Sequence, residues 1–250
     1  MARQANGLQI EGTIGNLTFY KTKKGYFVKQ KSNLDKKRIQ TDPAYARTRE
    51  NNKEFGHVAK MGRLIRQSLG GLLRRVYDPS HTQRLVKVLT RIKNLDPKAR
   101  RGERTVGGGM AVPEGLLALR GFDFNRNHPM HTMYQGNLDW SMEEGWLKVG
   151  PFLPQDHLNA PSGATHVDFK VGVLTMDWAT EEHGNLVFST EPPQPITEKP
   201  MELSLGFDLP PKEKGNRFLV FQVRFLMEDV GELRPLGNDC YTSLQILEIE

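Results

Sequence analysis

Seven histidines and a single cysteine are the residues from which chemistry would start in this chain. The histidines are His57, His81, His128, His131, His157, His166 and His183. His128 and His131 stand in "HPMH", with Asp123 a few residues upstream as a further potential ligand. Zinc sites need more donors at short, regular spacing, and no other Cys or His follows at that spacing. Pro129 between the two argues against a helix that would put them on one face. The expectation is a surface loop and no metal. Cys240 cannot form an intrachain disulfide, which suits a reducing compartment. It is expected to be a small core residue in a strand rather than a nucleophile.

Other catalytic arrangements are also missing. No serine sits in a nucleophile elbow, and no Cys–His pair is suggested by spacing. The acidic pairs Glu143-Glu144, Glu181-Glu182 and Glu228-Asp229 lie beside turn glycines. Solvated turns explain them better than an acid/base couple held across a cleft. Gly107-Gly108-Gly109 lacks the Gly-Lys-Ser/Thr of a phosphate loop. Trp140, Trp146 and Trp178 could stack on sugars or bases, but such residues are more often core or interface. The expectation is therefore no catalytic residue, no cofactor, no small-molecule substrate and no enzyme.

The remaining chemical signal is charge. Residues 1–125 carry 26 Lys and Arg against 10 Asp and Glu, a net +16; residues 126–250 carry 9 against 19, a net −10. The stretch "RTRENNKEFGHVAKMGRLIRQSLGGLLRR", from Arg47 to Arg75, reads as one helix begun by Asp42-Pro43 and running to about Val76, with Gly70-Gly71 as the place where it could strain or break. With Val58 as reference, Phe55, Met61, Gly62, Ile65, Leu69, Leu72, Leu73 and Val76 fall within about 60° on a helical wheel. Arg49, Lys53, Lys60, Arg63 and Arg74 fall on the opposite side, between about 140° and 220°. Glu50 and Glu54 lie to one side. Such a stripe faces either a polyanion or only water. Arg100, Arg101 and Arg104, in the basic, glycine-containing stretch after Asp96-Pro97, are expected to form a mobile arm beside it.

These residues need elements to position them. "LQIEGTIGNLTFYKTKKGYFVKQK" reads as a hairpin from about Ile14 to Lys31, its aromatics set among lysines. A second helix, from about Ser80 to Leu95, makes an α-hairpin with the first. Beyond it, seven strands are expected at 136–141, 146–149, 166–178, 186–190, 202–207, 218–227 and 242–248, separated by turn signals. Proline-rich Thr190–Pro200 should cross from one sheet to another. The fold class is α+β: an N-terminal β-hairpin and basic α-helical hairpin (1–125), then an acidic antiparallel β-sandwich of jelly-roll type (126–250).

The strings "GTIGNLTFYKTKKGYFVKQK", "DPAYARTRENNKEFGHVAKMGRLIR" and "GELRPLGNDCYTSLQILEIE" resemble a group of uncharacterised bacterial proteins of similar length. The resemblance spans most of the chain. It implies a shared architecture, no activity, and no catalytic residue to carry over.

Two function classes remain. One is a non-enzymatic structural protein that assembles with itself, basic half to acidic half. The other is a DNA- or RNA-binding protein that uses phosphates without reading bases. No apolar run reaches the roughly 20 residues of a membrane span, and "MARQANGLQIEG" lacks a secretory core. The expected location is the cytoplasm, or a particle assembled there.

Overall fold

The computed structural model describes residues 2–4, 9–31, 35–180, 182, 184–209, 215–237 and 240–250. Glu181, His183 and parts of the turns expected at 210–216 and 236–239 lie outside these residues. The chain forms two compact units, Met1–Arg49 and Glu50–Glu250.

The first unit is built on β1 (Ala2–Arg3), β2 (Gly12–Ile14), β3 (Leu17–Thr22) and β4 (Gly25–Gln30). They form an antiparallel sheet in the order β1-β4-β3-β2, so the expected hairpin is present with a strand added at each edge. Gly15, at φ +56°, makes the two-residue turn between β2 and β3. Register places Ile14, Leu17, Phe19, Tyr26 and Val28 on one face. Tyr20 and Phe27 share the other and stack at 6.0 Å. A lysine sits over an aromatic ring on each face, Lys21 on Tyr26 and Lys29 on Tyr20. Helix α1 (Lys36–Thr41) follows, capped by Asp35. Asp42 and Pro43 start a helix as expected, but it is a single 3-10 turn, Pro43–Tyr45.

The second unit begins with helices. These are α2 (Ala46–Ser68), α3 (Gly70–Leu73), α4 (His81–Lys93), α5 (Val106–Met110) and α6 (Pro113–Leu119). The long helix expected to reach Val76 breaks at Gly70, which takes φ +35°. α2 lies against α4 where Gly62 meets Leu85, Val86 and Leu89. The three glycines are not a loop but α5 itself. A Cβ on Gly109 would land on the Ile92 carbonyl, one on Gly108 on the Asp96 carboxylate, and one on Gly107 on Trp178. Close helix approach, not phosphate, is what selects them.

The remaining elements are α7 (Met130–Met133), β5 (Leu138–Ser141), β6 (Trp146–Phe152), α8 (Pro154–His157), β7 (His166–Met176), β8 (Asn185–Phe188), β9 (Gln194–Pro195), β10 (Met201–Gly206), β11 (Asn216–Asp229), β12 (Glu232–Pro235) and β13 (Thr242–Ile249). The expected strands are present within a few residues at their ends, with β9 and β12 in addition. His131 is helical after all: Pro129 stands as N-cap of α7, where its missing N–H costs nothing, instead of breaking the turn. Cys240 lies in the turn before β13, half-buried, rather than in a core strand.

The class is α+β, with antiparallel sheets. The larger sheet runs β12-β11-β7-β8, with β13 also on β11 and β9 also on β7; the smaller is β10-β6-β5. Thr190–Pro200 leads from β8 through β9 in the large sheet to β10 in the small one. The two faces of β11 serve two cores. Phe218 and Val220 join Val58, Ile65, Leu69, Leu89 and Ile92 of the helices. Leu219, Phe221, Val223 and Phe225 join Leu147, Val149 and Leu205 of the small sheet. The first core therefore takes residues from both sides of the 125/126 charge divide.

One turn carries visible strain. β11 and β12 are joined by Val230-Gly231, both at positive φ (+52° and +79°), with Val230 94% exposed. A β-branched residue is disfavoured there, where Asn is tolerated. Val230→Asn should raise stability by about 1 kcal/mol. Chemical denaturation checks this: a midpoint that stays put or falls would show that Val230 is not strained.

Candidate functional site

The charge on the helical layer is best understood from its acids. Between residues 50 and 125, Glu54, Asp78 and Asp96 are buried, Glu50 and Asp123 are half-buried, and only Glu103 and Glu114 are exposed. Over the same residues eleven Lys and Arg are exposed. The surface is thus far more basic than the composition of the segment.

Each buried acid is fully engaged. Glu54, 2% exposed, accepts from Arg104 at 2.8 and 3.0 Å, from the Gly102 N–H at 2.7 Å, and from Lys93 of α4. Arg104 holds the Glu54 carboxyl at about 2, against an ordinary 4.5; Lys93 and Gly102 add to this, and burial opposes it. Asp78 accepts from Arg84 (2.7 Å), Ser80 N–H (2.7 Å) and Arg126 N–H (2.9 Å). Burial pushes its carboxyl up, but these bonds outweigh it and hold it below the usual range. Asp96 likewise is pushed up by burial and brought net down by the N–H groups of Thr105, Lys98 and Ala99.

This arrangement sorts the basic residues singled out in the sequence. Arg104 is half-buried on Glu54, and Arg101 bonds Asn51 and pairs with Glu50 at 3.6 Å. Together with the bonds to Asp96, they fix the 96–105 segment to α2 and α4, so it is not a mobile arm. Arg100 is exposed. Arg49 is half-buried and donates to the carbonyls of Ile39 (2.8 Å) and Asp42 (2.9 Å). Lys53, Lys60, Arg63 and Arg74 are exposed, and the opposing stripe of Val58, Met61, Gly62, Ile65 and Leu69 is buried as expected. Phe55 departs from that stripe at 61% exposed.

Arg63 and Arg74 come together with a residue that the helical wheel did not select. A groove of about 770 Å³ is lined by Arg63, Arg66, Gln67 and Arg74, with His81 at the start of α4. Arg66 is half-buried, its Nε on the Gly62 carbonyl and its Nη1 on Thr82 Oγ1, both at 3.0 Å. Only the fold brings α3 and the start of α4 to this part of α2.

The other chemical candidates have structural roles. Asp123 accepts from Met130 N–H, and His128 packs on Tyr241. Trp178 packs against the helical core and Trp140 against the other; Trp146 bonds Glu144 in the β5–β6 turn. Among the described residues, no group of three or more His, Cys, Asp or Glu is placed to hold a metal, and no helix is long and apolar enough to cross a membrane. Compared with protein-family models, curated proteins and solved structures, the chain matches none.

The Glu54 contacts make a prediction. Glu54→Gln keeps the shape but leaves Lys93 and Arg104 without their counter-charge. It should cost about 3–5 kcal/mol and open the 97–105 segment to trypsin. Because the folded carboxyl sits at about 2 against 4.5, its contribution is complete above 4.5 and lost as pH falls toward 2. The variant's denaturation midpoint should therefore vary less with acid than that of the parent. Equal acid sensitivity in both would remove Glu54 as the cause.

Proposed function

We propose that the protein is a non-enzymatic structural or interaction protein that assembles with copies of itself, the basic N-terminal unit of one copy docking on the acidic half of another. The observation that carries this reading is that, from residue 3 to residue 49, none of the residues whose burial is described is buried. A small sheet with aromatic and aliphatic residues on a common face is marginal in water until that face is covered. Ile14 is 62% and Leu17 45% exposed on that face. The unit carries eleven Lys and Arg against three Asp and Glu, a net charge of +8.

Charge complementarity favours a second copy as the cover. Residues 126–250 hold the net −10, and eleven of the acids among the described residues are exposed, including Asp139, Glu143, Glu144, Glu202 and Asp208. In this reading the two sheets of the second unit act as a jelly-roll-like sandwich, a rigid body that displays those acids on its turns and edges. A contact between two different surfaces is head-to-tail, and repeats into a ring or a filament.

The test uses light-scattering mass on a sizing column. The parent chain should elute at a multiple of 28.4 kDa. The double variant Ile14→Asp/Leu17→Asp should elute at the monomer mass with its second unit still folded, because both side chains are exposed and belong to the first unit. A monomeric parent at both low and high salt would defeat the reading.

A further inference from the structure

The groove between α2, α3 and α4 has a property that self-assembly does not use. It gathers Arg63, Arg66 and Arg74 with His81 and Gln67, and among the described residues no carboxylate lines it. Elsewhere on the helical layer a buried or half-buried cation meets an acid: Lys93 and Arg104 meet Glu54, and Arg84 meets Asp78. Here, among the described residues, none of the three guanidinium groups has such a partner. The nearest carboxylate in sequence, Asp78, is already saturated by Arg84, Ser80 and Arg126.

The donors are held ready. Arg66 is anchored through Nε and Nη1, which leaves its Nη2 without a hydrogen-bond partner among the described residues. Burial, and then the nearby Arg63 charge, push the Arg66 guanidinium down from its ordinary value, so the site as it stands is short of negative charge. His81 Nδ1 lies 2.5 Å from the Asp78 carbonyl oxygen, which can only accept. Nδ1 therefore carries the proton and Nε2 is the ring's remaining polar atom. Planar, forked arginines match the paired oxygens of a phosphate or a carboxylate.

We propose that this groove is a phosphate-binding site that seats a backbone phosphodiester of a nucleic-acid strand. A strand is favoured over a small phosphate because the basic residues continue out of the groove along α2. From Arg63 back to Lys53 is ten residues, about 15 Å of helix, long enough to meet more than one phosphate of a strand. The groove supplies the anchored contact, and Lys60 and Lys53 follow the backbone without reading bases. This inference is independent of the assembly reading, since Ile14 and Leu17 play no part in it.

The experiment measures full-length protein by fluorescence anisotropy, with a labelled single-stranded homopolymer of about 20 nucleotides at about 50 and 200 mM salt. Inorganic tripolyphosphate is titrated in parallel and read by thermal shift. The test variant is Arg63→Gln/Arg74→Gln, two exposed residues whose loss should leave the melting temperature unchanged. The comparison variant is Lys87→Gln/Arg91→Gln, which removes two exposed charges from α4 outside the groove. The expected result is strand binding that weakens about tenfold or more in the groove variant, with the salt slope lowered by about 2, and changes far less in the comparison. Equal losses in the two variants, or no strand binding by the parent, would overturn the proposal. Tripolyphosphate stabilisation that needs Arg63 and Arg74, without strand binding, would keep the phosphate site and overturn the strand.

Discussion

A carboxylate removed from water must be met by donors, and Glu54 shows how much of this molecule follows from that requirement. It is a helical residue with almost no exposure, and it collects a lysine from α4, an arginine from the following loop and a backbone N–H. Removing any one of these would leave a carboxylate oxygen short of a donor in a poorly hydrated place. The loop from Asp96 to Thr105 is thereby tied to two helices, which in turn sets the start of α5, with Thr105 as its N-cap. Asp78 acts similarly at the other end of the layer, joining the start of α4 to the Asp123–Arg126 segment through Arg84 and the Arg126 N–H. The basic surface is a by-product of these roles. The layer's acids are used mainly inside, so its bases are what the solvent meets.

The strand β11 explains a pattern that looked imperfect in sequence. "RFLVFQVRF" alternates only partly because both faces of the strand are buried, each by a different core. Its two polar interruptions belong to one face. Gln222 donates to the Leu72 carbonyl, and Arg224 pairs with Asp168 directly across on β7. A bulge in β13, where Leu219 pairs with Glu248 and Val220 with Ile246, makes Leu247 the extra residue. It sends Leu247 to the second core while Ile246 and Ile249 stay with the first.

What could be read from the sequence depended on range. The strands of the second half are bounded by local turn chemistry, as at Glu143-Glu144-Gly145 and Val230-Gly231, and local chemistry is visible in a single chain. The buried stripe of α2 was legible for the same reason, since helical period alone defines it. The role of Glu54 was not: at about 40° from Val58 it falls within the buried stripe, but nothing nearby in sequence shows that Lys93 and Arg104 will converge on it. Arg104 misled for the same reason, because a basic, glycine-containing stretch reads as loose until its distant acid is known. The three glycines of α5 read as loop in the sequence, and only the Ile92 carbonyl, Asp96 and Trp178 show that close packing is what they serve. Of the groove, the wheel on α2 selected Arg63 and Arg74 but passed over Arg66, which becomes prominent only when α4 brings Thr82 and His81 beside it.

Charge alone would not hold two copies of such a molecule together. At physiological salt, attraction between exposed charges fades beyond about 8 Å, so a +8 unit and an acidic body can find each other without staying together. Contact requires apolar area, and the first unit has it on the sheet face of Ile14, Leu17, Phe19, Tyr26 and Val28, none of which is buried. The lysines around that face would orient it and keep its edge from pairing indiscriminately with other strands. Phosphate binding places the opposite demand on the groove. A guanidinium–phosphate pair is polar on both sides and is weakened steadily as counter-ions compete. The two surfaces therefore separate by the force that each requires. Added salt should loosen a strand in the groove much more than a docked sheet, because burial of Ile14 and Leu17 does not depend on counter-ions.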